Sequence, residues 1–303
     1  MRSMRTKASI SHQLHSGSLL KRAIFRFFVS RIIRNRARSE VPVTFCSPDD
    51  LIGVEVIASG TFEGEFLTFT KVLLAQHLAK LPVAPQRTAV LDIGANIGTH
   101  ALFFSSLVDL VFAFEPNPAV ALVCRANALA AQRKNVAVFE VALSDRIGRT
   151  RLYAPVAGEF GWATLEPNTA SKGAVVEVET DLTDTFIAAR VDGTRIVLIK
   201  IDVEGHEASV LKGMPKTLAD HRPIVIFESL SLQHLNLCRS ILAASGYQHV
   251  FSVERSWDRG GRFSKLLSIL QGRLAVYLGK INLSSERRYG MVVALPWNEP
   301  DSQ

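Results

Sequence analysis

Thr88-Ala-Val-Leu-Asp-Ile-Gly-Ala-Asn-Ile-Gly98 is the stretch around which the rest of the chain can be read. Ala89–Ile93 is a short apolar run, β-branched at Val90 and Ile93 and interrupted by Asp92. Gly94 and Gly98 permit a tight turn and close backbone approach, and an apolar helical pattern follows. A buried strand, a glycine turn and a helix start in that order are expected to present free N–H groups at the carboxyl edge of a sheet. Open α/β sheets hold their ligands there. Dinucleotide binders carry G-x-G-x-x-G at this place, facing a pyrophosphate. Here the third glycine is missing, Asn96 stands at the second, and Asp92 precedes the turn. A carboxylate beside the ligand suits a cationic or amine-bearing group better than a diphosphate.

The chain around this stretch has 303 residues, 48% of them hydrophobic, enough to bury a core as one domain with extensions. No apolar run reaches the roughly 20 residues that span a bilayer. Cys46, Cys124 and Cys238 are widely spaced and follow no metal-binding pattern, so a reduced, cytoplasmic setting is expected. The net charge of +7 is unevenly spread, because residues 1–39 hold ten Lys/Arg and no Asp or Glu. The remainder carries 25 basic against 28 acidic residues and is near neutral.

Residues 1–40 read as a basic extension, disordered at first and then amphipathic. Leu20, Ile24, Phe27 and Phe28 fall near one helical face, with arginines elsewhere. Three readings fit residues 18–38: peripheral contact with an anionic membrane surface, an organelle-targeting peptide, or a helix packed on the body. Residues 41–87 form a pre-domain, with short strands and turns over Glu40–Phe62 and a helix over Gly64–Leu81. From Thr88 to the end, strands and helices alternate, which favours a parallel sheet with helices on both faces. The expected strands are Ala89–Ile93, Leu110–Phe114, Asn135–Val141, Arg195–Ile201, Pro223–Phe227, Tyr247–Glu254 and Tyr289–Leu295. Helices are expected over Ile97–Val108, Pro118–Ala131, Gly205–Ala219 and Ser231–Ser245, with another from Asp181, as its cap, to Arg190. Arg149–Tyr153 and Ala174–Glu179 look like an added ribbon. Residues 255–288 form a basic insert containing Trp257, Arg259, Arg262, Phe263 and Tyr277, read as a solvated excursion or a lid.

Several strand ends carry polar groups that converge on one sheet edge. Glu115 lies 21 residues after Gly94, a spacing at which an acidic residue grips both hydroxyls of a ribose. Ala142 and Leu143 follow the third strand, where small and apolar groups frame an adenine. Lys200-Ile-Asp-Val-Glu-Gly-His-Glu207 crowds a strand-to-helix turn with charge. If the backbone stays extended to His206, then Asp202, Glu204 and His206 point to one side. They would bind a metal, position a hydroxyl, or hold a general base. Glu207 is read as merely favouring the helix N-terminus.

Asp92-x-Gly94-Ala95-Asn96-x-Gly98, Glu115-Pro116-Asn117, Ala142-Leu143-Ser144-Asp145, Lys200–Glu207 and Val210-Leu211-Lys212-Gly213 occur in that order. Together they closely resemble the FkbM family of S-adenosylmethionine (SAM) methyltransferases, over about residues 60–254 and again at Met291–Pro296. Gly161-Trp162-Ala163-Thr164-Leu165 departs from the family's Gly/Ser-rich stretch. The resemblance implies a three-layer α/β/α class I methyltransferase fold, with a seven-stranded, mostly parallel sheet whose last strand is antiparallel. It also implies O-methyl transfer from SAM to a hydroxyl of a sugar, glycan or specialised metabolite. By position, the glycine turn (Asp92, Gly94, Asn96, Gly98) takes the methionine part, Glu115 the ribose, and Ala142 or Leu143 the adenine.

The sulfonium donor is already activated, so the chain must chiefly align an acceptor oxygen and take its proton. His206 is the preferred base by titration range, with Asp202 or Glu204 as substitutes or orienters. A divalent metal held by Asp202, Glu204 and His206 would instead acidify the hydroxyl. The rivals are an NAD(P)-dependent oxidoreductase, disfavoured by Asp92 and the missing glycine, and a non-catalytic SAM-binding scaffold at a membrane. Nucleic acid is not an expected partner, because the chain lacks an N/D-P-P-[YF] amine-methylating motif.

Overall fold

A computed structural model describes residues 45–48, 50–153, 163–166, 174–191, 193–229, 231–255, 276–281 and 289–297, together with Arg26 and Ser30. Helix α1 (Leu51–Ser59) and helix α2 (Gly64–Lys80) precede strand β1 (Arg87–Ile93). Then follow α3 (Thr99–Phe104), β2 (Leu110–Phe114), α4 (Pro118–Ala130), β3 (Val136–Phe139), β4 (Ala142–Ser144), β5 (Gly148–Tyr153) and β6 (Val175–Leu182). The remainder is α5 (Thr183–Ala188), β7 (Thr194–Ile201), α6 (Glu207–Lys212), α7 (Pro215–His221), β8 (Ile224–Ser229), α8 (Leu232–Ala244), β9 (His249–Arg255), β10 (Val276–Lys280) and β11 (Tyr289–Leu295).

The main sheet runs β10-β9-β11-β8-β7-β1-β2-β3. β1 pairs in parallel with β2 and β7, and β7 with β8. β11 is inserted antiparallel between β8 and β9. These strands realise the class I arrangement, with one correction. The sheet has eight strands, because β10 comes from the 255–288 insert and adds an antiparallel edge to β9. Tyr277, named above as a possible lid residue, lies on that edge and donates to Glu254 Oε2 at 3.2 Å. Ser252 Oγ reaches across to the Gly279 carbonyl at 3.1 Å. Trp257, Arg259, Arg262 and Phe263 lie outside the described residues.

The central strands are apolar on both faces because helices cover both. Leu91, Ile93, Ile199, Ile201, Val225 and Phe227 belong to one core layer, together with Val210, Leu211, Leu218 and Leu235 from α6, α7 and α8. Val90, Leu198, Ile224 and Ile226 belong to the opposite layer, with Phe66, Leu67, Leu73 and Leu74 of α2 and Phe104 of α3. Each fully buried side chain of this size contributes about 1.5–3 kcal/mol relative to exposure. The 41–87 segment thus shares its main helix with the principal core.

Several local expectations are corrected. Glu40–Phe62 holds no strand among its described residues. Asp50 Oδ1 accepts the Ile52 N–H at 3.1 Å and starts α1, and Gly60 at φ 91° ends it. Val and Ile in this segment favour extended backbone, but burial of Ile52 and Val56 on one helical face decides the outcome. The helix expected over Gly205–Ala219 is two helices, because Pro215 begins α7 at its first turn. The helix after Asp181 spans only Thr183–Ala188, while Asp181 remains in β6. Likewise α3 is six residues long, shorter than the expected Ile97–Val108. Finally, β4, β6 and β5 form a separate three-stranded sheet, so Ala142–Ser144 is itself a strand of the expected ribbon.

Among the described residues no helix is long and apolar enough to cross a membrane. Residues 18–38 lie outside the described residues apart from Arg26 and Ser30, which are helical and exposed.

Candidate active site

The carboxyl ends of β1, β2, β7 and β8 open into a cavity of about 270 Å³. Gly94, Asn96, Glu115, Ala142, Leu143, Asp202, Glu204 and His206 all line it. Asp92 and Gly98 do not. The structure therefore brings eight of the ten expected site residues to one place and puts the other two beneath it.

Asp92 is fully buried and meets the Lys200 ammonium at 3.3 Å. Lys200 Nζ also lies 3.3 Å from Asp202 Oδ2 and donates to the Gly94 carbonyl at 3.2 Å. Burial opposes the lysine's charge, but the Asp92 and Asp202 carboxylates more than offset it and hold the ammonium above the usual lysine range. Asp92 therefore anchors a cation that ties β1 to β7, rather than facing a ligand.

The expectation of free N–H groups at the glycine turn is corrected. Gly94 and Ala95 both donate to the Phe114 carbonyl, at 2.9 and 3.0 Å. The Asn96 N–H donates to Glu115 Oε2 at 3.0 Å, and Ile97 N–H to Asn96 Oδ1 at 2.7 Å. Gly98 N–H closes on Ala95 O at 2.9 Å. The turn's N–H groups are thus spent on the Phe114 carbonyl, on Glu115 and on the turn itself, leaving no cradle for a pyrophosphate. Gly94 stands at φ 78°, and a Cβ there would meet the Asp202 carbonyl oxygen at 1.8 Å. It is the neighbouring strand, not a ligand, that forces glycine at this position. Gly98, at φ 90°, is pressed against Cys124 Sγ in the same way.

Glu115 is 7% exposed, and its Oε1 accepts the Asn117 N–H at 2.9 Å. Burial pushes its carboxyl up to about 7 against the pull of the two backbone N–H groups. Each oxygen keeps acceptor capacity toward the cavity. Next to it stands an apolar wall of Ala142, Leu143, Leu152, Ala163 and Leu165. The last three come from the ribbon side, which the sequence reading did not assign to the site. Thr164 bridges to Tyr153, and its Oγ1 donates to the Glu204 carbonyl at 2.8 Å, fastening the ribbon to the β7–α6 turn.

At that turn the backbone does not stay extended. Glu204 sits at φ 52° and Gly205 at φ 103°, so His206 becomes the residue that precedes α6. Its Nε2 is 2.9 Å from Ser144 Oγ and its Nδ1 2.9 Å from Glu166 Oε1. Both ring nitrogens are engaged, so His206, expected as the general base, would have to give up its Ser144 or Glu166 contact to take a proton. Glu207 is fully buried, and its Oε1 accepts the Val203 and Gly205 N–H groups, both at 3.2 Å. It shapes the turn rather than merely favouring a helix start.

The acidic partner missing from the expected cluster is Glu228, at the end of β8. Carboxylate oxygens of Asp202, Glu204 and Glu228 lie within 4.8 Å of one another. His206 is not in that group, which corrects the expected Asp202–Glu204–His206 metal set. Burial first, and then Asp202, raises Glu204 to about 7. Burial, then Asp202 and Glu204, raises Glu228 to about 8. The signal for Glu228 was in the sequence, since it is an acid closing an apolar strand, as Asp202 is. The cavity is completed by Asp50, Leu51, Ile52, Phe62 and Glu63 from α1 and the start of α2, so the 41–87 segment covers one side of the site.

Comparisons with known proteins bear on this arrangement. Residues 92–250 match the profile described as the methyltransferase FkbM domain, a little more than half of the chain. Hexuronic acid methyltransferase AglP of Haloferax volcanii is 29% identical over 157 residues, covering 48% of this chain and 58% of that protein. The 2-O-methyltransferase NoeI of Sinorhizobium fredii is 31% identical over 156 residues, covering 44% of this chain and 60% of that protein. The chain thus matches about three-fifths of the length of these curated relatives. A solved methyltransferase FkbM from Methylobacillus flagellatus aligns with 90% of this chain and 60% of its own, at 12% identity and a TM-score of 0.38. With the family profile running from Asp92 through the turn at Asp202 to Val250, the chain belongs to the FkbM methyltransferase family.

Proposed function

We propose that this protein transfers a methyl group from SAM to a hydroxyl of a sugar. The observation that carries this reading is a cavity in which the family's motifs place Glu115, an apolar wall and three clustered carboxylates side by side. The cavity fits SAM chemically. Its lining is acidic, which suits a sulfonium and an amino group. Glu115 retains acceptor capacity for ribose hydroxyls, Ala142 and Leu143 with Leu152 and Leu165 offer an apolar slot for adenine, and the Gly94–Asn96 turn borders the methionine end. The names of both curated relatives support the acceptor class, one by hexuronic acid and the other by 2-O-methylation.

When bound, SAM supplies an already activated methyl group. The chain's task is to hold the acceptor and receive its proton. Lys200, fixed by Asp92 and the Gly94 carbonyl, orients Asp202, which accepts a hydrogen bond from the acceptor hydroxyl. Glu204 takes the proton on its carboxylate, since burial and Asp202 bring its carboxyl to about 7, near the pH at which transfer is wanted. His206, with Ser144 and Glu166, holds the turn that presents Glu204.

Calorimetric titration with SAM and, in parallel, with NADH tests the cofactor. Binding of SAM alone is expected, and binding of NADH without SAM would overturn the proposal. With methyl-labelled SAM and a sugar acceptor, Asp202→Asn should lower turnover at least about 100-fold while leaving SAM binding within a few fold.

A further inference from the structure

We infer that the acceptor side of this cavity is built for a sugar ring without negative charge, neutral or amine-bearing, and excludes uronates and sugar phosphates. The inference rests on the methyl-transfer reading and goes on to specify its acceptor. Away from Glu115 and the apolar wall, the titratable lining is dominated by carboxylates: Glu63, Asp202, Glu204 and Glu228. The last three place oxygens within 4.8 Å of one another, and the charge of Glu63 is felt at Glu228.

Among the described residues, Lys200 is the sole lysine or arginine lining the cavity. It is 3% exposed, and its ammonium has three close partners in Asp92, Asp202 and the Gly94 carbonyl. Two carboxylates already answer its single charge, and one N–H is spent on the Gly94 carbonyl, so little attraction is left for a ligand anion. His100, also 3% exposed, is kept neutral by burial and then by Lys200. Its Nε2 lies 3.6 Å from Glu63 Oε2. Both nitrogens of His206 are taken by Ser144 and Glu166. No guanidinium fork faces the cavity from the described residues, and a fork is the usual means of gripping a carboxylate or phosphate.

An anionic ring would therefore meet the carboxylates of Asp202 and Glu63 and could enter only with protons kept on Glu204 and Glu228, with no lysine or arginine among the described lining residues free to answer its charge. Sugar hydroxyls, by contrast, donate to carboxylates two at a time, and an amine adds attraction. In this respect the chain departs from its archaeal relative, which is named for a hexuronic acid.

The test uses the full chain, methyl-labelled SAM, and three rings matched in size: methyl glucoside, glucosamine and glucuronate. Methylation or binding to the SAM-loaded protein at least about 100-fold better for the first two than for glucuronate is expected. Equal or better use of glucuronate overturns the inference, and so does SAM-loaded protein that binds none of the three. The double variant Glu63→Gln with Glu228→Gln should narrow the gap about tenfold, with SAM binding confirming an intact fold. A gap that stays unchanged removes these carboxylates as its cause. Failure to bind SAM at all instead counts against the methyl-transfer reading, so the two failures are read separately.

Discussion

The two turns that meet side by side at the cavity floor are built on different plans. At Gly94–Gly98 the backbone carries most of the structure. Three of its N–H groups pair with carbonyls of β2 or of the turn and two with the Glu115 and Asn96 side chains, and the two glycines stand where neighbouring atoms leave no room for a Cβ. At Asp202–His206 side chains hold the shape. Lys200 fixes Asp202, Glu207 ties down two backbone N–H groups, and His206 is gripped from both sides by residues of the ribbon. A backbone-defined turn tolerates almost no substitution at its close-approach points, whereas a side-chain-defined turn loses its parts one at a time.

The strongest way to break this comparison is Gly94→Ala. A methyl group would fall 1.8 Å from the Asp202 carbonyl in a backbone conformation of positive φ, so both strands must move. A loss of about 3 kcal/mol or more is expected, measured by urea unfolding. Retention of wild-type stability would show that the two turns are not locked together.

His206→Ala should act more gently, removing contacts to Ser144 and Glu166 while leaving the cluster of Asp202, Glu204 and Glu228. A stability loss of about 1–3 kcal/mol is expected, with turnover falling less than tenfold. A fall of a thousandfold at unchanged stability would restore His206 as the base.

The remaining effect concerns pH. Glu204 and Glu228 have folded-state values of about 7 and about 8, above the ordinary 4.5 of an unfolded glutamate. A raised carboxyl contributes stability that is fully present below the unfolded value and lost as pH rises through the folded one. The ligand-free protein should therefore melt at progressively lower temperature from about pH 5 to pH 8. Glu228→Gln should flatten that slope, and an unchanged profile would place the repulsion elsewhere.

How legible these features were in the sequence follows from their range. The parallel strands on either side of β1 were readable because apolar runs alternating with helical patterns favour crossover connections, while their order came only from the structure. Asp202 and Glu204 were readable because they sit in one short motif. Their arrangement was not, since the prediction assumed extended backbone where Glu204 and Gly205 turn with positive φ. Glu228 was passed over because its one signal, an acid closing an apolar strand, had no motif beside it, and β10 because its short apolar run lies inside a long basic segment. The strand reading of the segment before Phe62 failed because local β-preference yielded to a capped helix with a buried face.

By itself the sequence determined the parallel core, the turn between β1 and α3, and the family, since these rest on local periodicity and on motifs read in order. Only the tertiary structure decided what the charges do. Asp92 became the anchor of a buried lysine, His206 a clasp, and Glu228 with Glu63 the acidic side of the cavity. Each of these roles depends on a partner tens of residues away or more, and on how much water the fold leaves around it.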